Sequence, residues 1–285
     1  MIKNRTIFNW IVSLAIIAEG VGTPVLAVDS KRDSVIPSQP EATAILQAIC
    51  GRENVFANRE RGGKLACKSC PSFTGVGNNR DVLIKPPFTL EKVVYGSFTQ
   101  AGTREALADF DGCEAHARNN GGSVLLQRLS QGWSAVRYES GLRSNNCLKF
   151  PNKSGRDLLV CQSFDAHMGR FLDWLDALQI NSLGLEKISL IRLLSNIASN
   201  RPPIFETRIE NWTAQDVNND NLLDLVVTVR EANSAQVPPG FEGKYDSHLP
   251  NPTFHRLTFL FDGQSFQATP ETAQLKQRFE EKFRK

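Results

Sequence analysis

Apolar positions come first as one run and afterwards as short bursts. From Ile7 to Ala18 only Asn9 and Ser13 are polar. Lys3 and Arg5 precede the run, and Val25-Leu26-Ala27 follows it. A cationic flank, a core of about a dozen apolar residues and a small residue at the cut make a cleavable secretory signal, whereas a membrane span needs about 20. Residues 1–27 therefore read as a signal peptide and the remainder as secreted or periplasmic. No later stretch is apolar enough to span a bilayer, so no membrane span is expected after cleavage. Residues 28–40, polar with two prolines, read as a flexible lead-in.

The next burst, Ala44, Ile45, Ala48 and Ile49 within Glu41–Cys50, has helical spacing and stops at Gly51. It opens a cysteine-containing segment, 41–87, whose 51–80 stretch is rich in Gly, Asn, Ser, Arg and Lys and reads as a loop. From about Phe88 the bursts shorten into strands of a β-rich domain, 88–285. They are Val93–Thr99, Ala106–Phe110, Ser123–Leu126 and Trp133–Tyr138, separated by Gly-bearing turns. Leu223–Val229 is a strand by its β-branched content, and Arg256–Phe261 is another. Asp262-Gly263 marks a hairpin whose return strand opens at Phe266. Between these groups, Met168, Phe171, Leu172, Leu175 and Leu178 have helical spacing, as do Leu190, Leu193, Leu194 and Ile197. They predict a helical insertion over 166–199. Residues 231–253 read as a long loop, and Glu271–Phe283, after Pro270, as a polar C-terminal helix. The expected fold is mainly β, with antiparallel blade-like or sandwich-like hairpins, a short N-terminal helix, the insertion and the C-terminal helix.

Two echoes run through this pattern. Leu126–Trp133 and Leu257–Phe266 share a strand, a Gly-bearing turn and an aromatic-headed strand. Glu105, Asp157 and Asp224 each stand before an apolar run, at spacings of 52 and 67 residues. Periods near 50 occur in propeller blades; an acid before apolar residues is equally a feature of unrelated hairpins.

Of 285 residues, 258 follow Ala27, enough for one large domain or two small ones. The net charge of +3 falls to +2 without Lys3, Arg5 and Glu19, and no basic cluster is interleaved with aromatics, which excludes a nucleic-acid binder. Cys50, Cys67, Cys70, Cys113, Cys147 and Cys161 form an even set. In an exported chain such a set reads as three disulfides with about 15 pairings open. Three precede residue 71 and three follow residue 112, so full pairing needs at least one bridge between the groups. Cys67-Lys-Ser-Cys70 is also half a zinc site, without a second close pair, or a redox C-x-x-C, without the βαβ context.

The best-defined chemistry lies in Asp216-Val217-Asn218-Asn219-Asp220-Asn221-Leu222-Leu223-Asp224. Side-chain oxygens at Asp216, Asn218, Asp220 and Asp224, with the Leu222 carbonyl, suit a calcium ion, which takes about six to eight hard oxygen ligands. Asn221 holds the sharp-turn position usually filled by Gly, and Asn tolerates the left-handed conformation. Val227 stands where an EF-hand needs a bidentate Glu, so the loop is not of that type. Over Asp216–Val229 it resembles the D-x-[DN]-x-D-G-x-x-D-L-h-h signature of FG-GAP-type propeller repeats. It matches at Asp216, Asn218, Asp220, Asp224 and Leu225 and departs at Asn221. The resemblance implies structural calcium between blade strands and a role in adhesion or ligand binding. Propellers have about four or more blades, and three echoes fall short, so it covers the loop rather than the architecture. A polar turn without metal is the alternative, since Asn and Asp favour turns.

The expected function is that of a disulfide-stabilised, calcium-binding module, envelope-associated or binding a protein or glycan ligand. The rival is an exported hydrolase whose site, His116, Glu114 and Asp109, assembles only in the fold. His167, His248 and His255 lack metal-ligand spacing, no G-x-S-x-G is present, and Gly75-Val76-Gly77 reads as a plain loop. Asn152-Lys153-Ser154 and Asn211-Trp212-Thr213 are glycosylation sequons in a host that glycosylates exports.

Overall fold

The computed structural model describes residues 33–72, 88–113 and 122–284. The signal peptide, Glu114, His116 and Gly75-Val76-Gly77 lie outside these. After a short strand β1 (Ser34–Val35), helix α1 spans Gln39–Cys50 and stops at Gly51, whose φ of 82° favours glycine. Ala42, Ile45, Leu46 and Ile49 form its buried stripe, at the spacing of one helix face.

Strands β2 (Val55–Asn58), β3 (Lys64–Cys67), β4 (Phe88–Gly96), β5 (Glu105–Asp111), β6 (Gly122–Leu129) and β7 (Gly132–Ser140) form the first sheet in sequence order, with β1 paired to β4. The second sheet is β8 (Cys147–Pro151), β9 (Asp157–His167), β10 (Arg170–Ile180) and β11 (Leu185–Ser195). The third is β12 (Ile204–Gln215), β13 (Asp224–Ser234), β14 (Thr253–Phe261) and β15 (Phe266–Ala268). All pairings are antiparallel. The chain is thus mainly β, and β4–β7, β8–β11 and β12–β15 are successive four-stranded meanders. Asp262-Gly263 turns β14 into β15 with Phe261 opposite Phe266, as its sequence predicts. Strand β13 continues to Ser234, so the long loop begins later than the composition suggests.

The meanders stack face to face. In β8 and β9, Leu148, Phe150, Leu158 and Val160 join Trp212, Leu225, Val227, Leu257 and Phe259 of the third sheet. The intervening Cys147, Leu159 and Cys161 join Val94, Leu107 and Leu125 of the first. The middle sheet therefore contributes to cores on both faces, with 164–167 of β9 and 186–188 of β11 left exposed. Helix α1 covers the other face of the first sheet. Helix α2 (Pro270–Glu280), capped by the Thr269 hydroxyl, seats Phe279 in the core of the second and third sheets.

This burial explains why no helical insertion exists at 166–199. A strand covered on both faces carries apolar residues in both parities and loses its period-two signature. In β10, Leu175 and Ala177 face one core while Leu178 and Ile180 face the other, with a bulge at Leu175/Asp176 shifting the register. Met168 is not a core residue. With Gly169 it makes the two-residue turn between β9 and β10, at φ 47° and 79°.

The cysteines pair as Cys50–Cys67, Cys70–Cys113 and Cys147–Cys161, leaving none free. The second is the bridge between groups that counting demands. Cys67 and Cys70 have different partners, so their motif is neither a dithiol nor half a zinc site. No helix among the described residues is long and apolar enough to cross a membrane.

Candidate functional site

The loop 216–223 joins β12 to β13. Its side chains fold back on its own backbone, as Asx turns do. The Asp216 carboxylate accepts the N–H groups of Asp220 (3.2 Å) and Asn221 (3.0 Å). Asn218 Oδ1 accepts Asp220 N–H at 3.2 Å, and Asp220 Oδ1 accepts Leu222 N–H at 2.8 Å. Asn219 and Asn221 are left-handed, φ 60° and 65°, so Asn221 fills the position where calcium loops usually place Gly. Asn218 and Asp220 are exposed and Asp216 is half-buried. Asp224 differs from them. It is fully buried, and its two oxygens accept Val217 N–H at 3.1 Å and Phe261 N–H at 2.8 Å, which ties the loop and the end of β14 to the start of β13.

A second loop in the molecule has the same construction without the acids. Glu105 stands 119 residues before Asp224, and the intervals around both match. Each preceding strand has a bulge at a glutamate, Glu91 in β4 and Glu210 in β12. Each connecting loop, 97–104 or 216–223, has eight residues. Gly102, φ 74°, occupies the place of Asn221. The buried Glu105 carboxylate accepts the N–H of Phe98, seven residues back, as Asp224 accepts that of Val217. Leu90 and Val93 occupy the core places of Ile209 and Trp212, and Ala106, Ala108 and Phe110 those of Leu225, Val227 and Val229. Yet the places of Asp216, Asn218 and Asp220 hold Ser97, Thr99 and Ala101. The loop shape thus needs an anchoring acid and a left-handed residue, and in 97–104 hydroxyls serve where 216–223 has acids and an amide. Asp216, Asn218 and Asp220 are additions to it.

Those additions fit a hard cation. Two carboxylates, an amide oxygen and the Leu222 carbonyl are the donor types calcium takes, with lone pairs beyond those used by the loop's N–H groups. Among the described residues no three His, Cys, Asp or Glu side chains form a metal-holding group: the loop offers Asp216, Asn218, Asp220 and the Leu222 carbonyl, while Asp224, expected as a further ligand, commits its two oxygens to Val217 and Phe261 N–H.

Of the hydrolase candidates, Asp109 alone lies among the described residues. Asp109 on β5 is fully buried, with Arg143 Nε at 3.3 Å from Oδ1, and burial pushes its pKa up to about 7. His248 Nδ1 lies 2.6 Å from the buried Glu206, and His255 Nε2 lies 2.9 Å from Glu231, which also holds Arg278 and Lys282 of the C-terminal segment. Both histidines belong to structural ion clusters.

A groove of about 890 Å³ opens where the first and second sheets part. On the second sheet, Trp174 pairs with Ser163 and Asp176 with Cys161, so these side chains share the face turned to the first sheet. Lys187 of β11 continues that wall. Lys92 of β4, Asp111 of β5 and Arg143, after β7, line the other. Burial raises the pKa of the Asp176 carboxylate. Helical periodicity concealed these residues. Asp173, Asp176 and Gln179, spaced by three, match the polar face of an amphipathic helix, so the sequence held no signal against that reading. Comparison with family models, curated proteins and solved structures gave no match to this chain.

Proposed function

We propose that this chain is an exported, calcium-clamped binding module with no chemistry of its own. The carrying observation is the contrast between the two equivalent loops. The 97–104 loop makes the shape with Ser97, Thr99 and Ala101, whereas 216–223 adds Asp216, Asn218 and Asp220 at the same places. These oxygen donors exceed what the equivalent loop needs for the same shape and keep lone pairs beyond their turn hydrogen bonds, and calcium is the cation whose preferences they meet. The paired loops and the succession of four-stranded meanders support the likeness to FG-GAP-type repeats. Export is supported by the N-terminal pattern and by three disulfides, which persist in oxidising compartments. The ion's role is structural. It would cross-link the loop that Asp224 fastens to β13 and β14, away from the inter-sheet groove.

Thermal unfolding with calcium and with a chelator tests this. A ligand at about 100 times its dissociation constant stabilises by about 2.7 kcal/mol, a rise of a few degrees for a chain of this size. The rise should vanish in Asp220→Ala. An unchanged melting temperature, or a rise that survives in Asp220→Ala, would count against the calcium site. A hydrolytic role is disfavoured by Asp109, which is sealed from solvent behind Arg143.

A further inference from the structure

The groove between the first and second sheets has the size and make-up of a ligand site, and nothing derived above uses it. Its volume of about 890 Å³ is that of pockets that enclose small ligands. Among the described residues its lining carries three cations, Lys92, Arg143 and Lys187, and three acids, Asp111, Asp165 and Asp176. Arg143 is already held by Asp109, and Asp111 by Arg61. The lining therefore offers no net field for a phosphate or a carboxylate, since either would meet as many acids as bases. A wholly apolar ligand would strip water from all six charged groups without replacing it. A ligand dense in hydroxyls suits both signs at once, donating to carboxylates and accepting from ammonium and amide groups.

Trp174 supplies the remaining requirement. Trp174 lines the groove from β10, on the same strand face as Asp176, and an indole ring is a flat apolar platform with a polar N–H at one edge. The platform stands on a strand buried on both faces and backed by the Cys147–Cys161 bridge, the kind of rigid support that keeps a site in register. We propose that this groove binds a neutral saccharide, with Trp174 stacking on a sugar ring and Asp165, Asp176 and Lys187 meeting its hydroxyls. The proposal deepens the binding-module reading above and rests on it.

Titration of the purified protein with neutral α-glucan, β-glucan, chitin and galactan oligosaccharides, followed by calorimetry and tryptophan fluorescence, tests it. Inorganic phosphate and an oligogalacturonate serve as anionic controls. At least one neutral saccharide should bind with a dissociation constant of about 1 mM or tighter. Trp174→Ala should weaken that binding about tenfold or more, and Trp174→Phe less. Asp165→Asn changes an exposed residue, so it reports on the groove even where Trp174→Ala fails to fold. No binding across the neutral panel, undiminished binding in both Trp174→Ala and Asp165→Asn, or stronger binding of phosphate or the uronate would overturn the proposal. The calcium melt separates the two readings. A calcium shift without saccharide binding removes the groove proposal alone, and Trp174-dependent binding without a calcium shift removes the calcium clamp alone.

Discussion

Asp109 is a carboxyl placed beyond the reach of water, and its one cation, Arg143, only partly offsets that burial. Folding raises its pKa from 3.8 to about 7. Between those values the folded chain holds a proton that the unfolded chain has released. Stability from this residue is thus fullest at acid pH and is lost as pH rises towards about 7, at up to about 1.4 kcal/mol per pH unit. Asp173, raised to about 6 by burial, acts in the same direction. Urea unfolding from about pH 4 to about pH 7 should show a smaller fall in stability for Asp109→Asn than for the natural chain; equal slopes would mean the residue does not titrate in this window. Asp220 and Asp224 make a second contrast. Removing the Asp224 carboxylate strands two backbone N–H groups, one of them on buried Phe261, and Asp224→Ala should cost about 2–4 kcal/mol without calcium. Asp220 is exposed, and Asp220→Ala should cost less than about 1 kcal/mol under those conditions. Chemical denaturation in chelator distinguishes them. The sequence supplies the oxygen atoms of both residues equally; only the fold shows that Asp224 faces inward as an anchor while Asp220 stays on the surface.

Strands β5 to β7 and the Asp262-Gly263 hairpin were readable from their short apolar runs and Gly-bearing turns, although β5 and β6 are buried on both faces. Strands β10 and β11 were not, because apolar residues on both faces of β10, and the extra residue Leu190 in β11, erase the alternation by which a strand is known. The two helices were legible from Gly51 at one end and Pro270 at the other. Cysteine pairing was bounded only by parity and grouping. Geometry then gives the bridges unequal weight. Cys147 and Cys161 face each other across β8 and β9 and close 14 residues, whereas Cys70–Cys113 closes 43 and joins separate parts of the chain. Loop-closure entropy makes the longer bridge worth about 1 kcal/mol more. Replacing Cys70 and Cys113 with Ala should therefore lower the denaturation midpoint further than replacing Cys147 and Cys161, as measured by urea titration. The reverse order would point to strain or residual unfolded-state structure outweighing loop length.

At the scale of the molecule, three antiparallel meanders follow one another along the chain and stack face to face, with a helix packed at either end of the sequence. The first and third share a bulged glutamate, an eight-residue loop, a left-handed residue at one position and a buried acid opening the next strand. Spacing alone made Glu105, Asp157 and Asp224 a faint echo, since any acid before an apolar run would pass. The hydrogen bond from seven residues back, common to Glu105 and Asp224, is what separates a repeated unit from coincidence. Asp157 lacks it. Its loop is shorter, and its carboxylate reaches across to Ser97 N–H at the start of the 97–104 loop. The account turns on the claim that 216–224 kept a cation site where 97–105 has none. Equilibrium dialysis against radioactive calcium measures this most directly. One ion per chain, lost in Asp220→Ala and retained in Thr99→Ala, is the predicted result; no bound ion, or one that Asp220→Ala leaves in place, would contradict it.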